Sequence, residues 1–157
     1  MTDSPDPQEI DRWHRWMAAN LFNRTWELLE AERTREQDRE LLATALASWL
    51  HWRRVGDATN HAVADWQVSR VYAVLGDPVR AEEHGRASLE TAEVNGLGPF
   101  YVGHACEALA RAAAGRGDGV AMAAWLERAR QEAVGVGDEE DRGLLLADLD
   151  SLEGAGG

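Results

Sequence analysis

Residues 65–89 read DWQVSRVYAVLGDPVRAEEHGRASL, and this stretch decides the fold. It reads as a helix, a stop and a second helix, with Gly76-Asp77 as the punctuation. Gly lacks the Cβ that penalises positive φ, so it suits the left-handed position that closes a helix. The Asp carboxylate accepts from the first free N–H groups of the helix that follows. The same pair recurs at Gly56-Asp57, Gly117-Asp118 and Gly137-Asp138, giving spacings of 20, 41 and 20 residues. The stop missing from the middle is supplied by Gly96-Leu97-Gly98-Pro99. A helix about every 20 residues means a helical hairpin about every 40, the pattern of a stacked array.

Working outward from these marks, the sequence predicts seven helices. The first starts at Asp6-Pro7, runs to about Arg33 and carries Ile10, Trp13, Met17, Leu21 and Leu28 as its apolar stripe. The second covers 36–55 with Leu42, Leu46, Trp49 and Leu50, and the third 59–75. A fourth runs from Asp77-Pro78 to about Asn95, a fifth over 99–115, a sixth over 119–134 and a short seventh over 139–152. Composition agrees. Ala, Leu, Glu and Arg dominate, Ile10 is the one isoleucine, and no apolar/polar alternation persists, so the chain is read as all-α. At 157 residues it is read as one domain, with flexible ends at about 1–5 and 153–157.

Residues 61–134 resemble a pair of tetratricopeptide repeats. Val68, Ser69 and Tyr72 stand at the first-helix signature positions, Gly76-Asp77 makes the turn, and Ala81, Gly85 and Ser88 lie where the second helix approaches the first closely. A second copy follows 41 residues on, with Leu109, Ala110, Ala113, Gly117-Asp118, Met122, Leu126 and Ala129. The resemblance implies a solenoid of antiparallel hairpins with a C-terminal capping helix. It also implies a groove for an extended peptide or partner helix, lined by the first helix of each hairpin. The groove positions it assigns are Val63, Trp66 and Arg70 in one repeat and His104, Glu107 and Arg111 in the next.

The residues themselves add chemistry to that face. Trp66 and Arg70 are four apart, as are Glu107 and Arg111, so each pair shares a helix side. Two guanidiniums suit a carboxylate ligand, and a Trp beside them offers a rigid apolar platform. The competing reading is that Arg70 and Arg111 pair internally with Glu107 and Asp65, and that Trp66 fills space between helices.

Much is excluded. With 16 basic against 28 acidic residues the net charge is −12, which disfavours nucleic acid as a partner. All basic residues are Arg, so lysine-based catalysis and a P-loop are ruled out. No apolar run approaches the ~20 residues of a membrane span, and Met1 to Gln8 is unlike a signal peptide. The lone Cys106 excludes disulfides and cysteine-rich zinc sites, and reads as a buried structural thiol. These features predict a cytoplasmic protein. His104 with Glu107, and Asp11 with His14, have the i, i+3 spacing of some helical metal sites, but Glu-x-x-His does not occur, so no metal and no cofactor is expected. No catalytic residue is assigned.

Trp13 and Trp16 are three apart on the first helix and are expected to cover the next hairpin, any exposed remainder being a dimer surface. The reading is therefore a non-enzymatic adaptor that binds a protein or peptide. Two alternatives stand beside it: a homodimer built on the first two helices, and a small-molecule or catalytic pocket closed by His51, Trp52, Trp66 and Arg70.

Overall fold

The computed structural model describes residues 6–154, so the ends proposed as flexible lie outside the described residues except at Glu153 and Gly154, which complete the last helix. Among the described residues the chain is entirely helical: α1 (Pro7–Glu30), α2 (Arg35–Val55), α3 (Ala58–Val74), α4 (Pro78–Val94), α5 (Pro99–Gly115), α6 (Gly119–Gly135) and α7 (Glu139–Gly154). Each helix packs on the next, and α3 also packs on α5 and α5 on α7. This is a stack of helical hairpins in which α3, α5 and α7 are successive neighbours.

Caps set the boundaries. Asp6, Asp57, Asp77, Asp118 and Asp138 each accept from a backbone N–H in the first turn of the following helix. Gly76 and Gly117 are left-handed, with φ of 80° and 70°. Around Gly76 the closing bonds are Asp77 N–H to the Tyr72 carbonyl at 2.9 Å and Gly76 N–H to the Ala73 carbonyl at 3.2 Å, a Schellman turn. The pattern repeats at Gly96 and Gly117, so the joints α3–α4, α4–α5 and α5–α6 share one turn geometry. Gly56 departs from the expectation. Its φ is −84°, and an added Cβ would lie 2.7 Å from both the Asn60 Cβ and the Trp52 carbonyl oxygen. Close approach, not handedness, requires glycine there. The first helix also stops earlier than predicted, because Arg33 turns back to donate to the Leu28, Leu29 and Ala31 carbonyls while Thr34 and Gln37 form a capping box that opens α2.

Small hydroxyls draw the helices together. Ser48 donates to the Ala18 carbonyl, Ser69 to that of Ala81 and Ser88 to that of Ala62, at 2.6–2.8 Å. Gly85 meets Leu109 closely, for a Cβ built on it would sit 3.1 Å from a Leu109 methyl. The helix with the most neighbours is α5, which touches α3, α4, α6 and α7. It is accordingly buried nearly all round and built from Ala, Gly and Cys with few large side chains.

Two apolar cores result. One joins Leu28, Leu41, Ala45, Val68 and Val71; the other includes Leu89, Leu109, Leu126, Leu145 and Leu149. The inner face of α2 is thus Leu41, Thr44, Ala45 and Ser48, while Leu50, expected in its stripe, is 62% exposed. Trp13 and Trp16 do not cover a hairpin either, being 52% and 60% exposed. Helical periodicity grouped them on one side of α1, but that side meets α2 only at the edge, where Trp13 touches His51, and both rings stay more than half exposed. No described helix is long and apolar enough to cross a membrane.

Candidate functional site

Helix α3, whose Val68 and Val71 belong to the smaller core, also carries the polar Asp65, Gln67, Ser69 and Arg70, with Trp66 among them. A buried charge needs partners, because its desolvation costs several kcal/mol, on the order of what a pair returns. The structure meets this need twice.

The first cluster spans α3, α5 and α7. Glu107 is fully buried, at 0% exposure. Its Oε1 accepts from Arg111 Nε at 2.9 Å and from Arg111 Nη2, and Arg70 Nη1 approaches the same oxygen at 3.5 Å. Among the described residues Oε2 has only the Trp66 indole N–H, at a long 3.4 Å. Arg70 also reaches toward Asp148 of α7, at 3.8 Å. His104, one turn before Glu107, is 8% exposed and packs edge-on against Trp66 and Phe100, with centroids 5.1 and 4.6 Å away. Its Nδ1 has no hydrogen-bond partner among the described residues and lies 3.8 Å from Asp148 Oδ2. Burial pushes the His104 imidazole below its ordinary range, outweighing the upward pull of Glu107 and Asp148, and Arg70 adds to the lowering.

The second cluster spans α2, α3 and α4 around Asp65, which is 1% exposed. Trp49 Nε1 and His84 Nδ1 both meet Oδ1 at 2.8 Å, and Arg53 Nη2 donates to Oδ2 at 3.0 Å. Arg53 lies over the Trp49 ring, and His84 stacks on Tyr72. Every strong partner this carboxylate needs is present, so the cluster is structurally closed.

Five of the residues assigned from sequence therefore converge: Trp66, Arg70, His104, Glu107 and Arg111. The two arginines are not free, because both serve Glu107; of the internal pairings foreseen, the one with Glu107 is observed, whereas Asp65 takes Arg53 instead. Val63 lines a cavity of about 100 Å³ together with Ala62, Trp66, Ser88, Phe100, Tyr101 and His104. It also borders a neighbouring recess of about 170 Å³, formed with Phe22, Asn60 and Trp52. Trp52 thus joins this face from the side. His51 does not. Its Nδ1 lies 2.6 Å from His14 Nδ1, and its ring meets Trp13 edge-on, so His51 lines neither of these two cavities. Sequence reasoning missed Phe100 and Tyr101, at the start of α5, and Asp148, which comes from 41 residues beyond Glu107 with no local pattern to mark it.

Cys106 is buried, and desolvation pushes its thiol up to about 12, which removes it as a nucleophile. Set against known proteins, the chain matches no family model, no curated protein and no solved structure.

Proposed function

We propose that this chain is a tetratricopeptide-like, non-enzymatic binding module of the cytoplasm that holds an extended peptide segment across α3 and α5. One observation carries the reading. The cavity bounded by Val63, Trp66, Phe100, Tyr101 and His104 is lined chiefly by apolar and aromatic surface, and it adjoins the Phe22–Trp52 recess through Val63. A cavity of about 150 Å³ holds benzene, so one of about 100 Å³ suits a branched aliphatic side chain. Aromatic walls around such an anchor are where binding energy concentrates. Arg70 and Arg111 act here as supports for Glu107, not as free clamps for a carboxylate. The single buried thiol, Cys106, fits a reducing compartment.

The test is peptide selection from a display library of unbiased sequence on the full chain. Peptides sharing an aliphatic anchor, and losing binding to the Val63→Glu variant at unchanged helicity, are expected. Selection of nothing, or equal binding to Val63→Glu, would overturn the reading.

A second reading, self-association, is favoured by the exposed Trp13 and Trp16, of which Trp13 adjoins the His14–His51 pair on the α1–α2 hairpin. Sedimentation equilibrium across a wide concentration range decides it. A mass that stays at one chain removes the homodimer.

A further inference from the structure

The geometry points to a divalent transition-metal site formed by His104, Glu107 and Asp148 where α5 meets α7. The inference does not rest on the peptide-binding reading. Three observations support it. Each residue offers a ligand atom, and the three atoms lie within 4.8 Å of one another. His104 Nδ1 is buried, unpartnered among the described residues, and faces Asp148 Oδ2 at 3.8 Å, too long for a hydrogen bond. Glu107 has one oxygen taken by Arg111 and approached by Arg70, while among the described residues the other has only the long indole contact.

Metal–ligand bonds of about 2.0–2.2 Å place ligand atoms about 3.3 Å apart in a tetrahedral set. The 3.8 Å between His104 Nδ1 and Asp148 Oδ2 thus needs a contraction of about half an ångström, and a pair as far apart as 4.8 Å one of about 1.5 Å, so the side chains must close on the ion by rotation. One imidazole and two carboxylates make a mixed nitrogen–oxygen set, suited to ions of the Zn²⁺, Fe²⁺ and Mn²⁺ class. Arg111 and the Trp66 N–H on Glu107 are the outer partners that orient a ligating carboxylate. The guanidiniums of Arg70 and Arg111 oppose a cation, yet the carboxylates of Glu107 and Asp148 match them in number. An entering ion therefore meets a locally neutral cluster, and the arginine charge sets how tightly it is held. Arg70, which touches both carboxylates weakly, is the residue that tunes it.

The experiment is a titration of the full chain with Co²⁺, read by its d–d absorbance, with Zn²⁺ as competitor. It is run in a His14→Ala background, because the His14–His51 pair can itself hold a transition ion. One Co²⁺ per chain, displaced by Zn²⁺, is expected. Asp148→Asn should weaken it by about tenfold or more, and Arg70→Leu should tighten it. In the wild-type chain, whose two Phe and two Tyr are readily distinguished, Mn²⁺ should broaden Phe100 resonances before those of Tyr72. The proposal is overturned if no ion binds, if Asp148→Asn leaves affinity unchanged, if Arg70→Leu weakens binding, or if Tyr72 broadens first.

Discussion

Replacing Asp65 by Ala deletes an acceptor that serves three helices at once. The Trp49 indole N–H and the His84 imidazole lose their partner in a part-buried setting, and each such stranded group costs about 1–3 kcal/mol. Arg53 suffers less, because its side chain is 40% exposed and its guanidinium can turn to water. The sum is a loss of about 3–4 kcal/mol, a sizeable share of the roughly 5–15 kcal/mol that holds a domain together. For a chain of this length it corresponds to a fall in Tm of about 10 °C. The assay is urea unfolding followed by circular dichroism, with Trp49→Phe and Arg53→Ala measured alongside. Trp49→Phe removes one bond to the carboxylate and should cost about 1.5–2 kcal/mol, and Arg53→Ala, which strands the buried Asp65 Oδ2, about 1–3 kcal/mol. In the Asp65→Ala background the Arg53→Ala change should become nearly silent. If Asp65→Ala costs less than about 1 kcal/mol, or no more than Arg53→Ala, the cluster is not a structural keystone and the reasoning fails.

Three further outcomes follow from local geometry. Gly56→Ala should destabilise by about 1–3 kcal/mol, because the added Cβ meets the Trp52 carbonyl oxygen at 2.7 Å; Gly119→Ala, with open space around it, should instead stabilise by about 0.4–1 kcal/mol, and thermal melts of the two compare directly. Cys106, with its thiol pushed up to about 12, should resist a thiol-specific chromogenic reagent at mildly alkaline pH and react fully in denaturant. Burial, and then the neighbouring His14, lower the His51 pKa, so the unfolded chain takes up a proton more readily than the folded one. Stability should accordingly be full above the ordinary histidine range and decline as pH falls from about 8 to about 5, with a shallower decline in His51→Gln.

The parts of the fold set by neighbouring residues were legible in the sequence. Asp57, Asp77, Asp118 and Asp138 act within their own turns, and every helix start fell within a residue or so of its reading. Where a residue answers to a distant neighbour, the sequence was mute. Even at short range Gly56 was misread, because crowding from Trp52 and Asn60, four residues to either side, and not handedness requires it. Periodicity grouped Trp13 with Trp16 yet could not say whether anything lies opposite. The pairing of Arg70 and Arg111 with Glu107 was readable as one of two outcomes, since i, i+4 spacing and the 41-residue offset place them together. Asp148 and His84, which complete the two buried clusters, arrive through tertiary packing alone.

The closed cluster around Asp65 also constrains how the sequence can drift. Trp49, Arg53 and His84 sit on two different helices, yet all answer to one carboxylate. Losing any member leaves the others mismatched, whereas exchanging the whole set for apolar side chains of equal volume would restore a consistent interior. Descendants of this chain should therefore keep the four residues as a haplotype or abandon them together, while Trp13 and Trp16 are free of that linkage.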